Sequence, residues 1–587
     1  MAQKPDFWKN LLFCSLKLSS TCSIYFLAES IMRCKNILFC CLVLTLSSAL
    51  IAQTDHAWIG TGKVRARITP TGIHRDTEGG FLLESSVPGQ PAKNLLSHLT
   101  PWVGGIDPGN NLKLACEMDD PLISDWQAGF RDIPNSGKVW KVTIEQIGAH
   151  LKDYQDNGII DNPIPEIFSW PGRGNPFSEA YNGFSMDSVN FWVDAPFHED
   201  FDINGRYNPE KGDYPGEVFV GDTPFFPTEI VFAPFFDHGS GDLSNAKSTD
   251  FDARLLAFTV ECQERDFLKN TIFFEMSGWL NRGLERLDSL HFGIYADFDI
   301  GDPDDDYLGC VEEFNKKIVY CYNSDTLNDN LVGAAPPTVA IMTFNSGNDI
   351  DGFQNLIPIF SSGFPTGVQM PSAPNEFYNY LTGTWREGSP ITTGGIGYNP
   401  AMVSNPQNVV FPDHPTSSNG WSELSENNPL GNRRCVVSYG PTTLMPQYRA
   451  YPLRFALTAS DKVGVTQQLK HLGEMRDLQR YIYNGCWDCP NPFDSLCSSP
   501  VSVKELTPIT RIAPNPTYDV FTLQTPRIDF KNLILANALG QIVSIDPPQF
   551  IQENEVQISL KNLPAGMYFL QWLSKNGQRG CEKVVKN

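Results

Sequence analysis

Four runs in the middle of the chain are short, apolar and β-type, with turn residues between them. They are "ARLLAFTVECQ" (253–263), "NTIFFEMSGWL" (270–280), "SLHFGIYADFDI" (289–300) and "KKIVYCYN" (316–323). Such spacing predicts an antiparallel meander. Successive side chains of a strand point to opposite faces. In the third run Phe292, Ile294, Ala296, Phe298 and Ile300 therefore share one face, and His291, Tyr295, Asp297 and Asp299 the other. "RAYPLRFALTA" (449–459) adds a later strand. Helical periodicity is scarce. "VTIEQIGAHLKDYQDNG" (142–158) predicts a short helix ended by Gly158. "VTQQLKHLGEMRDLQRYIYNG" (465–485) predicts another, with Leu469, Leu472, Met475 and Leu478 near helical spacing. Residues 171–250 are crowded with Pro, Gly and aromatics, which excludes long helices and predicts a pinned surface layer. The fold class is mainly β: a large antiparallel ectodomain with long loops and few helices.

Composition narrows the class. With 587 residues, more than one domain is expected. Aromatics at 12%, 44 prolines and 47 glycines beside 19% charged residues suit a loop-heavy β protein. The formal charge is −23. The first 52 residues hold five Lys/Arg and two Asp/Glu, so the remainder carries −26. That surface excludes phosphate-driven nucleic-acid binding and suits divalent cations.

The chain divides into four parts. Residues 1–52 form an N-terminal extension and a signal peptide. "MRCKNILFCCLVLTLSSALIAQT" has a basic start at Arg33 and Lys35, an apolar run from Ile37 to Leu46 and small residues before Gln53. Met32 reads as its natural start. Residues 53–488 are the β-rich ectodomain, 489–506 a linker, and 507–587 a small separate β domain. Nine cysteines follow the signal, an odd number. Cys486 and Cys489, with Cys497 nearby, read as a loop disulfide rather than half a zinc site. Cys310 and Cys321 are placed to staple an acidic loop to the next strand.

The last 80 or so residues show short strands with turns at Pro514-Asn515-Pro516, Gly540 and Pro564-Ala565-Gly566, which fits a β-sandwich of the immunoglobulin-like kind. Their order resembles the C-terminal sorting domain of the type IX secretion system of Bacteroidota. That family opens on "PNP", has a glycine after a middle strand, then an "L..G.Y" strand, and ends on a lysine-containing strand. The matching residues are Pro514, Asn515, Pro516, Gly540, Leu563, Gly566, Tyr568 and Lys583. The resemblance implies passage through the periplasm and across the outer membrane by the type IX machinery. The mature protein is then secreted or attached to the surface.

"YADFDIGDPDDDYLGC" (295–310) packs together Asp297, Asp299, Asp302, Asp304, Asp305 and Asp306. Calcium takes six to eight oxygens, and a strand end followed by an acidic turn supplies them while the cation cancels the repulsion. "DFDINGRYNPEKGD" (200–213) opens as a calcium loop does, with Asp200, Asp202, Asn204 and Gly205, although Lys211 stands where a bidentate Glu belongs. Glu210 or Asp213 would have to substitute there. Calcium is thus the expected cofactor.

These stretches resemble a large extracellular region recurrent in Bacteroidota proteins with the same tail. Its segments appear here as Trp170-Pro171, "APFHEDFDINGRYNPEKGDYP", "DFDIGDPDDDYLGC", "GWSE" (420–423) and "NRRCVVSYGP" (432–441). Two departures are the missing "DG" pair in the first long segment and Val311 where an aspartate often follows the cysteine. The resemblance implies no chemistry.

No metalloprotease, nucleophile-elbow or P-loop motif occurs. "HGSGD" (238–242) sets His238 beside Ser240, but sequence neighbours do not make a triad. The expected function is binding or adhesion at the cell surface, with a glycan or other surface ligand. The alternative is a secreted hydrolase of polysaccharide or protein, whose paired carboxylates need only spatial proximity.

Overall fold

The computed structural model describes residues 55–460 and 511–587, apart from short internal stretches such as 85–90, 324–336 and 344–352. The signal peptide, the 465–485 helix, the Cys486–Cys489–Cys497 group and the linker lie outside the described residues, as do Asp200, Asp202, Asp302 and Gly540. The chain separates into two compact units, residues 1–476 and 477–587. No helix among the described residues is long and apolar enough to cross a membrane.

The first unit holds two nine-stranded antiparallel sheets around one core. One sheet runs Ala57–Ile59, Val64–Thr69, Gly72–His74, Lys93–Ile106, Leu287–Phe298, Arg433–Leu444, Asn355–Ile359, with Phe81–Leu83 and Leu112–Ala115 also paired to Lys93–Ile106. The other runs Asp306–Glu313, Lys316–Asn323, Thr338–Thr343, Leu453–Ser460, Thr271–Leu280, Phe251–Thr259, Glu229–Asp237, Trp126–Ala128, with Trp140–Thr143 also paired to Glu229–Asp237. The apolar face of Leu287–Phe298 turns to the second sheet, where the Phe292 and Phe251 rings stand 5.7 Å apart. Its other face carries Tyr295 and Asp297. The Pro374–Leu381 helix covers part of that outer face, with Phe377 against Trp102 at 5.1 Å.

The expected meander needs correcting. Phe251–Thr259 and Thr271–Leu280 are neighbours, but Leu287–Phe298 crosses to the other sheet. There it pairs with Lys93–Ile106 and Arg433–Leu444, partners far away in sequence. Alternation reports which face a residue takes and says nothing of which strand lies beside it.

The expected helix spans Ile144–Asn157. Thr143 caps it in a capping box with Gln146, and Gly158 closes it in the left-handed conformation at φ 78°. Among the described residues of 171–250 the helices are short, Ser178–Asn182 and Pro209–Lys211, as the composition requires, but Glu229–Asp237 is a buried strand of the second sheet, which corrects the expected surface layer there.

The second unit's described strands form two four-stranded antiparallel sheets, each with two central and two edge strands. Phe521, Leu523, Val556 and Ile558 of one sheet share a core with Leu535, Leu570 and Val584 of the other. A two-sheet sandwich follows.

Candidate functional site

Four adjacent strands of the first sheet place a row of polar side chains on its outer face. His74 lies opposite His98, His98 opposite Asp297, and Asp297 opposite Arg434. One residue pair up the strands, Thr100 lies opposite Tyr295. A loop after Leu112–Ala115 folds over the row. Its anchor is Glu117, whose carbonyl accepts from Thr100 Oγ1 at 2.6 Å and Trp102 Nε1 at 2.7 Å. The Glu117 carboxylate meets His74 Nε2, Thr71 Oγ1 and Ser124 Oγ. The anchored loop delivers Asp119, whose Oδ1 accepts from the Tyr295 hydroxyl at 2.6 Å.

The result is a half-open cluster. His98 Nδ1 stands 3.6 Å from Asp297 Oδ2 and 3.9 Å from Asp119 Oδ1. Arg434 Nε stands 3.2 Å from Asp297 Oδ1 and 3.7 Å from Asp119 Oδ2. Burial pushes the Asp297 carboxyl above the usual carboxylate range, against the pull of His98 and Arg434. Asp297 was expected from sequence; His98, Asp119 and Arg434 were not. Their available signals were the alternation in "LLSHLTPW" and the acidic "ACEMDD" just after a strand.

Asp299, two residues on, takes a different set of partners. Arg75 Nη1 reaches its Oδ2 at 3.0 Å, Asn94 Nδ2 at 3.2 Å, and Ser97 Oγ more closely still. Protein cations thus stand beside both strand aspartates. The turn that follows is different. Asp306 is fully buried; its Oδ2 accepts from Ile300 N at 3.2 Å, while its Oδ1 has no hydrogen-bond partner. Burial first, then Asp305 and Asp299 nearby, raise its carboxyl well above the ordinary value. Asp305 Oδ1 accepts from Asn323 Nδ2 at 2.6 Å. Asp304 sits in the same turn.

In the 200–213 loop, Asp213 is buried and accepts from Phe201 N at 3.1 Å and Asn208 N at 2.7 Å. Asn204 Oδ1 accepts from Arg206 N at 2.7 Å. Both side chains organise the loop's own backbone.

Cys310 and Cys321 remain thiols, which corrects the proposed staple. The register sets Cys310 opposite Val319 and Cys321 opposite Leu308, so the two are diagonal on a shared face. Gly309 lies opposite Tyr320; a Cβ there would stand 2.4 Å from that ring, so the position requires glycine.

The segments "GWSE" and "NRRC" meet beneath the acidic turn. Glu423 and Arg433, both completely buried, form a bidentate pair at 2.9 and 2.8 Å. Glu423 Oε1 also accepts from Leu308 N at 2.8 Å, and Arg433 donates to the Gly431 and Pro429 carbonyls. The Phe360 ring lies 5.1 Å from the guanidinium. His238 Nε2 faces the Ser124 carbonyl at 2.9 Å; Ser240 lies outside the described residues.

In the second unit, the Asn515 side chain clamps the last strand. It donates to Lys583 O at 2.6 Å and accepts from Val585 N at 2.9 Å. Tyr568 OH donates to Pro564 O at 2.6 Å. Lys583 itself is exposed. The buried lysine is Lys586, whose ammonium donates to Leu560 O at 2.6 Å and Leu563 O at 2.8 Å. Pro514 and Pro516 flank the clamping asparagine, and Gly566 begins the strand that carries Tyr568.

Residues 511–587 match the family model described as the secretion system C-terminal sorting domain. The protein is an exported one, carrying a type IX sorting tail at its C-terminus. The tail engages the type IX machinery, and the destination is the cell surface or the extracellular space. No curated protein matches the chain. Among solved structures a polysaccharide lyase is similar over 70% of this chain, at 8% identity and a TM-score of 0.18. This chain aligns to 41% of that enzyme's length, and a score so low carries no argument about fold or activity.

Proposed function

We propose that the exported protein is a binding or adhesion module whose β body is stiffened by calcium at the 299–306 turn. The observation that carries the cation is Asp306 Oδ1, a buried carboxylate oxygen without a hydrogen-bond partner. A buried carboxylate left so is costly, and a hard cation is the partner that suits it. Asp304 and Asp305 are the neighbouring oxygen donors, with Asp299 alongside. The fit is weaker at Asp297, which faces His98 and Arg434. It is also weaker at Asp213, whose oxygens already accept backbone N–H groups. Binding is favoured over turnover because the acidic side chains singled out by the sequence are largely engaged with the protein's own backbone and cations.

The partner class is a glycan or other surface ligand. A glycan array probed with the exported protein in millimolar calcium tests this. Retention on a defined set of glycans, lost in chelator and without release of cleaved products, is expected. Released reducing ends or peptide fragments would favour the secreted hydrolase instead.

A further inference from the structure

We propose that His98 Nδ1, Asp119 Oδ1 and Asp297 Oδ2 form a three-ligand face for a divalent transition-metal ion, zinc by preference, with a fourth position open to solvent. One ligand atom from each of the three residues lies within 4.8 Å of the other two. The two His98 separations, 3.6 and 3.9 Å, are too long for hydrogen bonds. The imidazole nitrogen is nevertheless buried with no hydrogen-bond partner, and Asp297, only 5% exposed, presents Oδ2 to it. Four-coordinate zinc holds its nitrogen and oxygen ligands at about 2.0–2.2 Å, which puts them about 3.4 Å from each other. The two His98 edges therefore need to contract by a few tenths of an ångström around an ion, and the carboxylate edge, within 4.8 Å, closes as Asp119 moves in.

The carboxylates are already aimed. Each turns one oxygen to Arg434, Asp297 through Oδ1 and Asp119 through Oδ2, and the other to His98. The Tyr295 hydroxyl further orients Asp119 Oδ1. Such outer contacts fix ligand orientation at metal centres. Arg434 also leaves the two carboxylates with one net negative charge, enough to attract a dication without a second one. Asp119, its side chain 40% exposed, is the ligand that moves and marks the entry side. One imidazole with two carboxylates suits zinc and its first-row neighbours; calcium takes six to eight oxygens and is the wrong ion here. The site is separate from the calcium turn, and either can exist without the other.

The full chain, stripped of metal, is titrated with zinc ion against a chromophoric chelator, and separately with cobalt ion as a spectroscopic stand-in. Expected is one tight site whose cobalt form shows intense four-coordinate visible bands without thiolate charge-transfer absorption. Asp119→Ala, at an exposed position that leaves the fold intact, weakens zinc at least about 100-fold. His98→Gln does the same, and Asp306→Asn leaves zinc affinity unchanged. Absence of zinc binding, thiolate absorption in the cobalt form, or equal affinity in Asp119→Ala and the parent would overturn the proposal.

Discussion

Replacing Arg433 with methionine is expected to destabilise the β body by about 3–5 kcal/mol, the range for removing one partner of a buried ion pair. The penalty comes from what is left behind. Glu423 is fully buried and would lose both guanidinium donors, keeping the Leu308 amide and the Asn428 side chain but no countercharge. The Gly431 and Pro429 carbonyls would lose their guanidinium donor, and Phe360 its stacked cation. Methionine fills part of the volume but satisfies none of these groups. The double variant Arg433→Met, Glu423→Gln removes the stranded charge and should lose less than Arg433→Met alone, a coupling of the kind neighbours in one network show. Denaturant unfolding of the three proteins measures both differences. A loss below about 1 kcal/mol for Arg433→Met would mean that water reaches Glu423.

That pair also shows where sequence reading stops. "GWSE" and "NRRC" could be quoted, but periodicity does not say that Glu423 and Arg433 meet, nor that Leu308 of the acidic turn joins them. The face of each residue in 289–300 was legible, because strand geometry is local: Phe292 does point to the core and Asp297 away from it. The neighbours that define Asp297 were not legible. His98 and Arg434 arrive on strands brought together only by tertiary pairing. Asp119 arrives on a loop held by the Glu117 carbonyl. The helix at 144–157 was legible down to its final glycine, since its capping signals sit within a few residues of each other. In the tail, motif order pointed to Lys583, whereas the lysine whose ammonium is buried against carbonyls is Lys586. A motif marks the strand; burial selects the residue.

If calcium binds the folded turn and barely the unfolded one, as proposed, it should raise the stability of the β body by about 2.7 kcal/mol at a hundredfold excess over the dissociation constant. Asp306→Asn should abolish most of that increment. In chelator the same variant should be no less stable than the parent, since it removes a buried carboxylate that lacks a partner on one oxygen. The pH dependence has a definite sign. Burial holds the Asp306 carboxyl well above the ordinary carboxylate range. Its protonated form therefore favours folding, an effect fully present below the unfolded value and lost as pH rises through the folded one. Cation and proton compete for the same carboxylate, so the calcium increment should shrink as pH falls through the raised folded value. Thermal melting of parent and variant, in chelator and in millimolar calcium, reads all of this. Equal calcium increments in the two proteins would show that Asp306 holds no ion.

Residues 511–587, the sorting tail, are expected to direct the β body out of the cell. The body has its own core, so its folding should survive removal of the tail. Fractionation of cells expressing the chain truncated after residue 510 measures this. Folded, protease-resistant protein is expected to accumulate in the periplasm, with none at the surface or in the medium. Surface or medium levels equal to those of the full chain would contradict it.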